Sequence, residues 1–199
     1  MTPLAAVDLV LASTSRYRGE LLARIAPRFR TLAPGVAETA LPGEPPADRA
    51  ARLAEAKARA VAERCPGALV IGSDQVAELD GAILDKPGDA ANAARQLAAS
   101  SGRELRFHTA LCLLDARVAP NRIHGALDTT RVRFRALSGP EIARYVERER
   151  PFDCAGSFKS EALGIALFER IETSDPTALI GLPLIALCRL LRAAGIDVV

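Results

Sequence analysis

The segment Leu69–Pro87, which reads LVIGSDQVAELDGAILDKP, constrains the fold more than any other part of the chain. It opens with apolar residues that are closed by Gly, Ser and Asp74, a pattern typical of a buried strand that opens into a loop. Residues 80–81 are Asp-Gly, which favours a tight type I′ hairpin turn, and the returning strand leads to Lys86. The segment therefore predicts a hairpin at the rim of a sheet, with Asp74 and Lys86 close together.

Both residues also have an ordinary structural interpretation. An Asp that follows Gly-Ser is a common turn residue that bonds its own backbone, and a Lys before Pro is a frequent loop residue. The local pattern alone favours two turn residues over a functional pair, and support for the functional interpretation has to come from the rest of the chain.

Length and charge restrict the class of protein. A chain of 199 residues can bury about 70% of its unfolded surface as one domain spanning residues 1–199. The formal charge of +2 and the aromatic content of 4%, without Trp, are low for a protein that binds nucleic acid. We therefore expect no nucleic-acid partner, whereas a small anionic ligand stays open.

The cysteines and the apolar segments indicate the compartment. The four cysteines are scattered without a CxxC pair, which argues against a zinc site or a disulfide framework and favours reduced thiols. The first twelve residues do not have the pattern of a signal peptide. The longest apolar run, 179–188, is far too short to span a membrane. We expect a soluble, cytoplasmic protein with no membrane partner.

Short apolar runs alternate with amphipathic segments along the chain. This alternation, with hairpins among the strands, predicts an α/β fold with a mixed sheet. Residues 29–36 and 164–168 are further strand candidates, and a buried helix is expected from Gly181 to about Ala193. Three arginines on one face of residues 130–136 are typical of a half-exposed antiparallel strand.

A strand, a polar turn and a helix are predicted in the first 27 residues. The turn places Ser13, Ser15 and Arg18 around the N-terminus of the helix. Backbone N–H groups, hydroxyls and an arginine at such a position bind phosphate well. Simple N-capping by serine gives the same pattern, and both interpretations stay open.

An Ala-rich helix is predicted from a cap at Asp48 to about Arg64. Its apolar arc contains Lys57, which either snorkels outward or points into a cleft. The other charged residues fall elsewhere on the helical wheel and are predicted to form a solvated face: Arg49, Arg52, Glu55, Arg59 and Glu63.

Several common catalytic motifs are missing, including the P-loop, GxGxxG and HExxH. A histidine-based triad is not predicted, because only two histidines are present and His108 lies inside an alternating strand. What remains is a set of carboxylates (Glu38, Asp74 and Glu161) beside lysines, Arg18 and a serine-rich turn. Cations and hydroxyls suit a polyphosphate, and carboxylates suit a divalent metal and a water, so the set fits phosphoanhydride hydrolysis.

Six short motifs occur in order between Leu9 and Arg192: LASTSRYRGELL, RLAEAKA, VIGSDQV, ILDKP, AGSFKSE and GLPL. Together they resemble the Maf family of nucleoside triphosphate pyrophosphatases. The SDQ and SFKSE sequences look like those of the YceF-type branch, which takes 7-methyl-GTP. The related branch with Asp-Thr takes dTTP and UTP.

The resemblance implies an elongated Maf/ITPase-like α/β fold, with a mixed sheet flanked by helices and two lobes around a deep cleft. It implies metal-dependent cleavage of a nucleoside triphosphate to the monophosphate and pyrophosphate, with Asp74 as proton acceptor. Glu38 and Asp74 would hold Mg²⁺ or Mn²⁺, and a homodimer is allowed. The triphosphate would be held by Ser13, Arg18, Lys57 and Lys86.

Three further positions, Tyr17, Gln75 and Glu161, match residues that set base preference in the family. Glu161 could accept from the N1–H and N2 amino edge of a guanine, and Tyr17 could stack on a cationic methylated ring. The leading expectation is house-cleaning hydrolysis of 7-methyl-GTP. The alternatives are the same reaction on UTP, dTTP or another altered nucleotide, and a non-catalytic nucleotide-binding regulator of septum formation.

The chain departs from the family pattern close to the site. Gly19 replaces the second arginine of a pair, Ala37 replaces an acid beside Glu38, and Asp85 replaces a glycine before Lys86. We expect the extra carboxylate of Asp85 to weaken triphosphate binding. Catalysis is still expected, because none of these changes removes an acid or lysine that the resemblance assigns to the reaction.

Overall fold

The computed structural model describes all residues from 1 to 199 and contains a seven-stranded mixed sheet with helices packed on it. The strands are β1 (Thr2–Pro3), β2 (Leu9–Ala12), β3 (Arg30–Thr31), β4 (Leu69–Leu79), β5 (Ala82–Leu84), β6 (Glu104–Asp115), β7 (Arg122–Phe134), β8 (Phe168–Glu172) and β9 (Ile196–Asp197). The helices are α1 (Arg16–Leu22), α2 (Pro46–Ala62), α3 (Ala90–Ser100), α4 (Gly139–Glu149) and α5 (Leu184–Ala193).

The main sheet has the order β3-β2-β4-β6-β7-β8, and β5 pairs with the end of β4. The β2 strand runs parallel to both of its neighbours, and all other pairings in this sheet are antiparallel. The β1 and β9 strands form a separate parallel pair that joins the two ends of the chain. The predicted α/β class with a mixed sheet is confirmed.

Side chains that alternate along β2 enter two different cores, because successive residues of a strand point to opposite faces of the sheet. Leu9 and Leu11 pack with α1 and α5, whereas Val10 and Ala12 pack with α2. A third core lies at the far end of β4, β6 and β7, beneath α3 and α4. The long strands β4 and β6 contribute to all three cores and so connect the two ends of the sheet.

The prediction that the first strand of the central hairpin ends at Gly72–Asp74 is wrong. The β4 strand is continuous over 11 residues, and Asp74 pairs with Ala110 in the middle of the ladder. The reason is the length of β6, which offers backbone partners to every residue of β4 from Leu69 to Glu78. The tight turn itself is confirmed, since Asp80 and Gly81 have φ of 48° and 85°.

Other predicted boundaries also shift. Residues 164–167 of the predicted strand belong to the 3₁₀ segment Leu163–Leu167, and the strand begins only at Phe168. The helix α2 begins at Pro46, so Asp48 lies in its first turn and does not cap it. The strand predicted over 29–36 is reduced to the two residues of β3.

The last helix is less enclosed than its composition indicates. It begins at Leu184, and its residue Ile185 is 58% exposed. None of the helices is long and apolar enough to cross a membrane.

Candidate active site

A buried lysine–carboxylate pair lies at the wall of a cleft. Lys57 Nζ is 2.6 Å from Asp74 Oδ1 and also 2.6 Å from Glu38 Oε1. The side chains of Lys57 and Asp74 are 7% and 9% exposed, whereas that of Glu38 is 56% exposed. Of the two interpretations of Lys57, the structure shows the inward one.

This contact depends on a close approach of α2 to β4. A Cβ on Gly72 would lie 2.1 Å from the carbonyl oxygen of Ala54 and 2.8 Å from the backbone nitrogen of Ala58. Glycine on the strand therefore lets the helix backbone lie directly against the sheet. Asp74 is two residues further along the same face of β4, which brings it within reach of Lys57.

The two carboxyls beside Lys57 have shifted pKa values of opposite direction. Burial raises the pKa of Asp74, and the Glu38 charge adds to this, against the positive charges of Lys57 and Arg18. Burial also acts to raise the pKa of Glu38, but its hydrogen bond to Lys57 and the charges of Lys57, Lys86 and Arg18 outweigh it, so that pKa is lowered. Lys57 thus lies between one carboxyl of raised pKa and one of lowered pKa.

The turn before α1 brings a second cation to the cleft. Ser15 Oγ caps the helix by accepting from the Arg18 backbone N–H at 3.4 Å, and Ser13 Oγ accepts from the Ser15 N–H at 3.1 Å. The Arg18 side chain donates through Nε to the Gly181 carbonyl at 2.9 Å, and its Nη1 is 3.5 Å from Ser13 Oγ. The serines therefore do cap the helix, and Ser13 also lies beside the arginine that faces the carboxylates.

The loop before α5 supports this arginine. The Gly181 carbonyl also accepts from Ser73 Oγ at 3.0 Å, and Gly181 has a φ of +122°, which favours glycine. The buried carboxylate of Asp175 fixes the loop by accepting from the backbone N–H groups of Thr177 and Ile185 at 3.1 and 2.7 Å.

The two carboxylates, Lys57, Arg18 and Ser13 all line one cavity of about 790 Å³. Its wall comes from the turn before α1, from α2, from the middle of β4 and from the connection between β5 and α3. Eight of the nine site residues predicted from the sequence line it: Ser13, Tyr17, Arg18, Glu38, Lys57, Asp74, Gln75 and Lys86. The ninth, Glu161, lines an adjoining cavity of about 140 Å³ together with Tyr17, Gln75 and Lys86.

The amide of Gln75 has a defined orientation in the smaller cavity. Its Nε2 lies 2.9 Å from Thr109 Oγ1 and 3.0 Å from the carbonyl oxygens of both Ala178 and Leu179. A carbonyl oxygen can only accept, so these contacts fix the amide nitrogen on the protein side. The Oε1 atom is left as an acceptor for a ligand.

Acidic groups surround Tyr17. Burial raises the pKa of its hydroxyl, as do Cys154, Asp153 and Glu161, against the charge of Lys159. The Arg16 guanidinium lies 5.2 Å from the centroid of the Tyr17 ring, on one of its faces. One face of the Tyr17 ring is therefore covered by a cation.

The prediction that Arg49 belongs to a solvated face is wrong. Its side chain is only 13% exposed and lines the larger cavity with Leu53 and Lys57. The sequence does carry a signal for this position, because Arg49, Leu53 and Lys57 are spaced by four residues and therefore lie in one row along the helix. Asp153, which lines both cavities, was also missed, since an acid in a loop has no periodic signal.

Residues 8–194 match the family model described as Maf-like protein. The chain belongs to the Maf family. Among its relatives, a 7-methyl-GTP pyrophosphatase of Xanthomonas oryzae pv. oryzae is 58% identical over 187 residues, covering 94% of this Maf chain and 96% of the relative. A 7-methyl-GTP pyrophosphatase of Aromatoleum aromaticum is 57% identical over 188 residues, with the same two coverages.

A third relative, a 7-methyl-GTP pyrophosphatase of Burkholderia thailandensis, is 56% identical over 190 residues and covers 94% of this Maf chain and 87% of the relative. Among solved structures, the Staphylococcus aureus Ham1 protein aligns with a TM-score of 0.52 at 15% identity, covering 94% of this chain and 99% of that one. At this identity the likeness concerns the fold alone, and it agrees with the predicted fold class. The family prediction is confirmed.

The donor set of the Maf site fits a divalent cation that shares its ligands with a substrate. Magnesium commonly binds through one or two carboxylates while phosphate oxygens complete its shell. Glu38 and Asp74 offer two carboxylates that meet at Lys57 Nζ, and Glu38 has a lowered pKa. The chain has no group of three or more His, Cys, Asp and Glu side chains that could hold a metal ion.

Proposed function

We propose that this Maf protein hydrolyses 7-methyl-GTP to 7-methyl-GMP and pyrophosphate. The relatives named 7-methyl-GTP pyrophosphatase share 56–58% identity with it over 94% of the chain. The observation that carries the proposal is Asp74, a buried carboxyl of raised pKa that Lys57 holds at the wall of a cation-lined cavity.

In the proposed reaction Asp74 accepts a proton from a water whose oxygen attacks the α-phosphorus. The bond from that phosphorus to the oxygen bridging the β-phosphorus breaks, and pyrophosphate leaves with the bridging oxygen. General bases contribute about 10²–10⁴-fold to rate, and they act best when their pKa approaches the working pH. The raised pKa of Asp74 supports this role.

The cations of the cavity would neutralise and orient the triphosphate. Phosphoryl transfer needs positioning and charge stabilisation more than covalent chemistry, so fixed cations are the main requirement. Arg18 is fixed by the Gly181 carbonyl and Lys57 by its two carboxylates, whereas Lys86 is exposed at the rim. The two fixed cations lie close to Asp74, and the rim lysine would close on substrate.

Glu38 and Asp74 would hold a divalent metal, Mg²⁺ or Mn²⁺, when substrate binds. The metal would supply charge neutralisation at the phosphate oxygens. Lys57 would keep both carboxylates in place, because it contacts each of them at 2.6 Å.

The smaller cavity would take the base. Gln75 presents its Oε1 there and Glu161 its carboxylate, and both are acceptors for the N1–H and amino group of guanine. Methylation at N7 gives guanine a positive charge, which the acids near Tyr17 would favour over the neutral ring.

The test is pyrophosphate release from a panel of normal and modified nucleoside triphosphates with Mg²⁺, with Mn²⁺ and with EDTA. A preference for 7-methyl-GTP that is lost in EDTA is the expected result. Activity on UTP or dTTP would keep the mechanism and refute the assignment of the base. The absence of turnover on the whole panel would favour a nucleotide-binding regulator instead.

A further inference from the structure

We infer that Arg49 is a substrate-binding cation that engages the terminal phosphates of the triphosphate, the part that leaves as pyrophosphate. The inference rests on the proposed function for the identity of the ligand. Its own basis is the position of one side chain that neither the sequence motifs nor the reaction explains.

The contacts of Arg49 are few for a guanidinium on a side chain that is only 13% exposed. Its Nη2 donates to the Glu38 carbonyl at 3.1 Å and lies 3.6 Å from Asp85 Oδ1, beyond hydrogen-bond distance. Its Nε is buried and has no hydrogen-bond partner. An unpaired buried N–H costs free energy comparable to a lost hydrogen bond, so this arrangement leaves bonding capacity unused. An anion in the cavity would let the guanidinium turn and satisfy it.

The position of Arg49 along α2 indicates which phosphates it meets. Arg49 precedes Lys57 by eight residues, which is about 12 Å along the helix axis. It lines the larger cavity but not the smaller one that holds Gln75 and Glu161. With the base in the smaller cavity and the attacked phosphorus beside Asp74, the chain of phosphates extends toward Arg49.

Asp85 lies next to the Arg49 guanidinium and affects how it can bind phosphate. Its carboxylate is 77% exposed and faces the Arg49 guanidinium at the rim of the cavity. It therefore competes with phosphate for the same cation, but it also keeps the guanidinium near the cavity while no substrate is bound. This adds to the sequence-based expectation that Asp85 weakens triphosphate binding and names the residue through which it acts.

The experiment compares how each of the two reaction products binds to the protein. For the proposed enzyme, inhibition by pyrophosphate and by 7-methyl-GMP is measured for the wild type, Arg49→Ala and Arg49→Lys. The Arg49→Ala variant is expected to weaken inhibition by pyrophosphate about tenfold, as the loss of a charge-assisted hydrogen bond implies. Inhibition by 7-methyl-GMP should change less than about twofold, and kcat/KM for the triphosphate should fall. Arg49→Lys should recover part of the loss, because it keeps the charge but not the planar fork.

The matched control is Arg59→Ala on the same helix. Arg59 pairs with Glu55 on the exposed face and does not line the cavity, so the same charge change there should leave both inhibition constants unchanged. Asp85→Ala should strengthen pyrophosphate binding, and this gain should vanish in the Arg49→Ala background. The inference would be overturned if Arg49→Ala weakened inhibition by pyrophosphate and by 7-methyl-GMP equally, or if it changed neither inhibition constant.

Direct calorimetry with inorganic tripolyphosphate distinguishes this inference from the proposed function. If no nucleotide is turned over but tripolyphosphate binding still depends on Arg49, the polyphosphate site stands and the reaction does not. If turnover occurs and tripolyphosphate binds Arg49→Ala as it binds the wild type, the reaction stands and the role of Arg49 is wrong.

Discussion

Lys57 Nζ and Asp74 Oδ1 are 2.6 Å apart, although one residue lies on a helix and the other in the middle of a long strand. The pair is nearly buried, and Glu38 approaches the same nitrogen from the solvent side. This arrangement joins the most enclosed acid of the cleft to its most enclosed cation. It leads to predictions about pH, charge, packing and base preference.

The raised pKa of Asp74 predicts an acid limb in the pH profile. Under the proposed mechanism kcat/KM should fall as pH decreases through that pKa, at a pH above the ordinary aspartic acid value of about 3.9. Asp74→Asn should lower kcat by about 10²–10⁴-fold above that pKa, and the difference should shrink at lower pH, where the wild-type carboxyl is protonated. A pH–rate profile of both proteins measures this, and an unchanged profile in the variant would remove Asp74 as the base.

The same shift predicts how stability depends on pH. Because the pKa of Asp74 is higher in the folded than in the unfolded protein, the protonated carboxyl favours the folded state, and this stabilisation is lost as the pH rises through the folded-state pKa. The Asp74→Asn variant has no carboxyl to ionise and does not lose stability in this way. The free energy of unfolding of the variant should therefore increase relative to that of the wild type from about pH 4 upward. Urea unfolding at several pH values tests the sign, and a difference that does not vary with pH would contradict it.

Replacing Lys57 should affect both carboxyls. Without its charge, the pKa of Asp74 should rise further, because burial and Glu38 then act with less opposition. Lys57→Met should lower kcat about 100-fold or more and move the acid limb to higher pH. Arg59→Ala on the exposed face of α2 is the control and should leave the limb in place.

Gly72 should be needed for the approach of α2 to β4. Gly72→Ala places a methyl group 2.1 Å from the Ala54 carbonyl oxygen, so we expect a loss of about 1–3 kcal/mol in stability and weaker activity as the helix moves away. Gly125→Ala is the matched control, since its nearest atom would be 3.9 Å away. Thermal unfolding of the two variants measures the difference, and equal melting temperatures would contradict the close packing.

Glu161 should discriminate the cationic base from the neutral one. Glu161→Gln keeps the shape but removes the charge, so the ratio of kcat/KM for 7-methyl-GTP to that for GTP should fall about tenfold. The control is Glu147→Gln, on the exposed face of α4. A ratio that stays constant in Glu161→Gln would remove the proposed role of this carboxylate.

The sequence by itself determined the class of fold, the tight turn at Asp80 and Gly81, and nine of the side chains that line the two cavities, but not Arg49 or Asp153. These features depend on local periodicity, on turn chemistry and on short motifs, all of which are local in the chain. The helical pattern left the direction of Lys57 open between snorkelling outward and pointing into a cleft, and the structure shows the second.

The tertiary structure decided what depends on distant partners. Asp74 lies within a strand and not in a loop, because β6 pairs along nearly all of β4. Arg49 faces the cavity and not the solvent, because the loop that carries Glu38 and the one that carries Asp85 both approach its helix. The opposite pKa shifts of Asp74 and Glu38 likewise depend on burial and on charges brought together by folding, which no local pattern in the sequence records.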